Sequence, residues 1–244
     1  MRLRRTLLAS WLLLAPGCDT EPTVASTSPA AGSATASLAM HREDGPTSAK
    51  VTADAEGTRA EVVLVVLGKP FPKDLLDEIE TQLRDELQVE VRRHERIPLP
   101  KSAYYRPRRR YRAEKLLDHL LTLIPEAPET TRVLGLTTHD ISTTKGEVED
   151  WGIFGLGLVP GQAAVISMHR LKRSARSRKH LRFRVATTAV HEIGHTLGLD
   201  HCPEERCPMQ DAEGSIANTD SSTGHLGPQC RAALDERFPL RSEP

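Results

Sequence analysis

The chain has 244 residues, of which 38% are hydrophobic and 4% aromatic, enough for one good-sized domain with extensions but not for two large ones. Its 33 basic residues balance 33 acidic ones, so nothing in the total points to a nucleic-acid binder.

The first residues read MRLRRTLLASWLLLAPGC. Arg2, Arg4 and Arg5 form a basic start, and Leu7 to Ala15 form an apolar stretch too short to anchor across a bilayer. Small residues then close the segment before Cys18. This is the layout of a secretory signal peptide over residues 1–17. Cys18 resembles the lipidated cysteine of a bacterial lipobox, with Ala15 where such a motif usually carries Leu. Export is the expectation, through an ordinary signal peptide or with a lipid on Cys18 that holds the protein at a membrane of the bacterial cell envelope. Cleavage before Cys18 removes three arginines and no acid, leaving 30 basic and 33 acidic residues, a balance of −3.

Residues 18–58 are rich in Ser, Thr, Ala, Pro and Gly and almost free of large apolar side chains. Such a segment buries too little surface to order itself and reads as a flexible tether. The folded domain is expected over residues 60–240. VVLVVLG (62–68) is a β-branched run suited to a strand covered on both faces. Leu76, Ile79, Leu83 and Leu87 recur at helical spacing over 72–87, and QVEVRRHE (88–95) alternates like a half-buried strand. Together these predict a βαβ opening with a parallel pair and a right-handed crossover. A second helix is expected over 112–123 and a third strand over 132–138. WGIFGLGLVPGQAAVISM (151–168) reads as a strand or strand pair, its glycines marking close approach to the backbone. A long helix follows over 177–197. The order argues for an α/β (α+β) fold, helices packed on a twisted mixed sheet.

That last helix carries AVHEIGHTLGLDHC (189–202). His191 and His195, four apart, project from one helical face and can meet one zinc ion. Glu192 can reach a water on the metal without ligating it. Gly198 accepts the left-handed turn that ends the helix, so the chain doubles back and His201 completes a three-histidine set with a fourth position open. The chemistry implied is hydrolysis, with Glu192 as general base. Five fixed identities, each under about one in ten in average proteins, match by chance below about 10⁻⁵ per start position.

HEIGHTLGLDH resembles the extended zinc signature of the metzincin peptidases. The continuation HCPEERCPM resembles the archaemetzincins in particular, and the resemblance extends over about residues 60–240. It implies a metzincin-like fold, a catalytic Zn2+ on His191, His195 and His201, Met209 as the hydrophobic floor beneath it, and a peptide or protein substrate. It also implies a second, structural Zn2+ held by four cysteines. Cys202, Cys207 and Cys230 stand at three of those positions, but Gly227 occupies the fourth. Three readings stay open: His225 completes a Cys3His site, a disulfide such as Cys202–Cys207 forms after export, or the cysteines are inert. The substrate of a metzincin lies extended along an edge strand, and residues 152–167 are the candidate for that strand or for an ordinary core hairpin.

Two basic runs remain, RPRRRYR (106–112) and RLKRSARSRKHLRFR (170–184). Both read as solvated faces; for an exported protein anionic headgroups are a better functional partner than nucleic acid. Tyr104, Tyr105 and Tyr111 read as surface packing or an aid to an oxyanion, and His139-Asp140 as a pair near the cleft. The rival to a peptidase is a non-catalytic zinc- or peptide-binding lipoprotein that keeps the metal site.

Overall fold

The computed structural model describes the backbone of residues 36–41 and all of residues 59–211 and 215–238. The leader and Cys18 lie outside the described residues. Among those described, nine strands form one sheet: β1 (Ala36–His41), β2 (Glu61–Leu67), β3 (Glu90–Arg93), β4 (Tyr104–Tyr105), β5 (Arg110–Arg112), β6 (Thr131–Thr137), β7 (Ile141–Lys145), β8 (Val148–Val159) and β9 (Ala163–Ser167). The order is β3-β2-β6-β9-β8-β7-β5-β4, with β1 added on β8.

The βαβ opening forms as its pattern requires. β2 and β3 pair in parallel around α1 (Lys73–Leu87). Leu75, rather than Leu76, joins Ile79, Leu83 and Leu87 on its buried face. β2 alternates between two cores: Val62 and Leu64 face one, Val63, Val65 and Leu67 the other. That two-sided burial explains its unbroken apolar run. One face carries α1 and α4 (Arg178–Thr196), the other α2 (Ala113–Leu121).

The glycine-rich stretch resolves into β8 and β9, an antiparallel pair, with β8 running on to twelve residues. β7 covers the outer edge of β8 only as far as Ile153. From there to Val159 that edge is taken by β1, in parallel register, with Ala39 opposite Gly157 and His41 opposite Val159. Part of the segment read as a tether therefore forms a strand. Its composition argued only that side chains could not order it; an open strand edge supplies main-chain partners regardless of side chain.

Several arginines of the basic runs are tied down by acids. Arg110 bridges Asp140 and Asp150, Arg112 pairs with Glu114, Arg170 with Asp140, Arg178 with Asp74 and Arg184 with Asp220. Asp140 is thus committed to two arginines, while His139 stacks edge-on against Tyr111 at 5.4 Å.

Candidate metal centre

Helix α4 starts at Ser177, whose hydroxyl accepts the His180 amide at 3.0 Å. It is buried from Arg184 to Thr196, so its second half runs through the core rather than along the surface. Its last carbonyls are met by guanidinium groups: Arg132 donates to Thr196 O at 3.1 Å and Arg237 to Leu197 O at 3.1 Å. Burial pulls Arg132 down to about 10, which leaves it charged at neutral pH. Gly198 then takes φ +86°, and the Leu199 amide reaches back to Gly194 O at 2.9 Å. This turn brings His201 beneath the helix.

The three imidazoles converge. Ring centroids lie 4.5 Å apart for His191–His195, 4.9 Å for His195–His201 and 5.4 Å for His191–His201. A nitrogen from each lies within 4.8 Å of the other two. Two of the rings are oriented by the main chain: His191 Nδ1 contacts Pro208 O at 2.8 Å and His195 Nδ1 contacts Leu199 O at 2.8 Å. With Nδ1–H donating to a carbonyl, the inward nitrogen carries a lone pair. Burial, then the neighbouring His195, pushes His191 well below the ordinary histidine range, so it is neutral. The two Nε2 atoms stand only 3.1 Å apart. Two lone pairs at that separation repel unless a cation lies between them, so the donor set fits zinc.

Glu192 is completely buried, and β8 is shaped around it. A Cβ at Gly155 would come 2.5 Å from Glu192 Oε1, and one at Gly157 2.6 Å from Glu192 O. The close approach read from the glycines of this strand is thus an approach to Glu192. Met209, also fully buried, places its sulfur 2.5 Å from where a Cβ at Gly194 would sit, and its carbonyl accepts the Cys202 amide at 2.9 Å. Only a glycine at 194 leaves room for this floor. The motif includes Gly194, but spacing alone did not show what it faces.

The cysteines gather as well. Sulfurs of Cys202, Cys207 and Cys230 lie within 4.8 Å of one another, buried and unbridged. All three are free thiols, with Cys207 and Cys230 sulfurs 3.7 Å apart, so the Cys202–Cys207 disulfide reading is not what the structure holds. Hydrogen bonding to Cys230 brings Cys207 down to about 6, nearer the thiolate a metal requires. His225 does not join them. Its side chain is 74% exposed and its Nδ1 lies 2.6 Å from Glu86 Oε1. The Cys3His reading is corrected on that geometry: Glu86, buried on α1, also takes the Leu226 amide at 2.9 Å and fixes the loop outward.

A helix-borne histidine pair, a third histidine returned by a glycine turn and a methionine floor define a metallopeptidase of the metzincin class. Comparison with known proteins agrees. Archaemetzincin of Methanopyrus kandleri is 33% identical over 170 residues, spanning 69% of this chain and 91% of that protein. Its crystal structure superposes with a TM-score of 0.63 at 30% identity, covering 75% of this chain and 98% of that one. The archaemetzincin structure from Archaeoglobus fulgidus gives 0.58 at 26% identity over 71% and 99%. Residues 60–236 match the model of peptidase family M54, and the chain belongs to that family.

Proposed function

We propose that this protein is a zinc-dependent peptidase in which His191, His195 and His201 hold the metal and Glu192 is the general base. The observation that carries the reading is the inward-facing Nε2 pair at 3.1 Å beside a completely buried carboxylate. Zinc bound there supplies a Lewis acid for the scissile carbonyl and an acidified water. Glu192 takes the proton of the attacking water at its carboxylate and returns it to the leaving amine. Gly155 and Gly157 let the strand pass close enough to hold that carboxylate in place. The outer edge of β8 beyond Ile153, on which β1 lies, is the edge along which an extended peptide would add as a strand in place of β1. A protein that only binds zinc or peptide has no use for a base at 192. Glu192→Ala is expected to lower peptide cleavage by roughly 10²–10⁴-fold with zinc per chain unchanged. Cleavage that survives would sink the mechanism.

The leader pattern supports a second assignment: residues 1–17 direct export and Cys18 carries the lipid that anchors the chain. Growth with a labelled fatty acid should mark the wild-type chain and not Cys18→Ser; equal labelling would refute the anchor.

A further inference from the structure

Three thiols make an incomplete tetrahedral set, and a carboxylate occupies the space that a side chain at Gly227 would take. Gly227 caps α6 (Pro228–Arg237) with φ −66° and ψ 162°, a conformation open to any residue. A Cβ built there would overlap Glu204 Oε2 and fall 2.9 Å from Glu204 Cδ. The same carboxylate lies 3.8 Å from Cys202 Sγ through Oε2, and its Oε1 accepts the Gln229 amide at 3.2 Å. The Gly227 amide in turn donates to Cys207 Sγ at 3.4 Å. Glu204 therefore reaches from the loop that bears Cys202 and Cys207 to the start of the helix that bears Cys230.

We propose that Glu204 is the fourth ligand of a Cys3Glu zinc site, standing in for the cysteine absent at Gly227. The exchange keeps the charge: three thiolates and a carboxylate surround Zn2+ with the same four negative charges as four thiolates, whereas a histidine would remove one. Carboxylate oxygen is an accepted zinc ligand, and four donors close a structural site. The metal would pin a loop that matters. Cys202 directly follows His201, and Cys207 comes two residues before Met209. This proposal does not depend on the peptidase reading.

The test uses the full chain purified anaerobically with its thiols reduced. Zinc per chain is measured, and Co2+ replaces zinc so that thiolate-to-cobalt absorption reports the cysteine site apart from the histidine site. Wild type is expected to hold two zinc ions, and His191→Ala to keep the cysteine-bound one. Glu204→Ala should release the second ion to a chelator at least about tenfold more readily, and His225→Ala should not. Adding Gly227→Cys to Glu204→Ala should restore retention, because the space is then free and the backbone unstrained. Three outcomes would overturn the proposal: a single zinc in wild type, release of the cysteine-bound ion from Glu204→Ala no faster than from wild type, or faster release from His225→Ala. Failure of the double variant to recover the ion would do so too, since the loss would then reflect folding rather than ligation.

Discussion

Substituting Gly155 by alanine separates the positioning of the general base from its presence. The new methyl would stand 2.5 Å from Glu192 Oε1, 2.7 Å from Cγ and 2.8 Å from Cδ, whereas ordinary contact begins near 3.4 Å. The carboxylate must therefore move by roughly 1 Å, and it is completely buried, so it moves against packed neighbours. A misplacement of about 1 Å at a reacting group costs on the order of 10²-fold in rate, or about 2.7 kcal/mol of barrier. The backbone at 155 is not left-handed, and alanine gains about 0.5–1 kcal/mol over glycine in a strand, which offsets part of the clash. Zinc content should thus stay near wild type and stability fall by no more than about 1–2 kcal/mol, while kcat falls. The assay is kcat on a quenched peptide alongside zinc per chain. A kcat within about threefold of wild type, with zinc retained, would refute the claim that β8 positions Glu192.

Arg184→Met should destabilise the fold by roughly 2–3 kcal/mol in urea unfolding. The variant strands the carbonyls of Leu171 and Arg173 and breaks a pair in which Arg184 is 2% exposed. The loss falls at or below the low end of the usual range of about 3–5 kcal/mol, because Asp220 keeps His180 at 2.8 Å and is 26% exposed. Burial acts to raise the Asp220 carboxyl, but bonds from Arg184 and His180 outweigh it and hold the group below 3.8. A depressed carboxylate contributes stability above its unfolded value and loses it as pH falls through the folded one. The difference between wild type and variant should therefore shrink below about pH 4; a constant difference would refute this origin. Deleting residues 19–58 removes β1 from the edge that a peptide would use. If β1 is held there by about 1 kcal/mol, KM should fall about sixfold with kcat unchanged. An unchanged KM would mean that substrate does not use this edge.

Much of the centre was legible because its signals are local. A spacing of four residues, about one turn, sets His191 and His195 on one face, and Gly198 marks the end of α4, so the three-histidine set follows from spacing alone. The parallel β2–β3 pair was equally readable from an apolar run, an amphipathic helix and an alternating strand. Strands β4, β5 and β7 were not. They are short, and their pairing depends on partners distant in the chain, such as Tyr111 opposite Ile141. The arginine runs were legible as charge, but their acids, Asp74, Asp140 and Asp220, come from other elements.

The sequence by itself determined the chemistry within reach: which side chains can meet a metal, which carboxylate can serve as base, and that one cysteine of a fourfold set is missing. Only the tertiary structure decided what surrounds them. It set β8 against Glu192, turned His225 out to Glu86, put the Glu204 carboxylate in the space beside Gly227 and laid β1 on an open strand edge. The physical reason is range. Helical spacing and turn conformation act within a few residues, whereas close approach, hydrogen-bond competition and edge pairing join segments whose separation along the chain carries no signal.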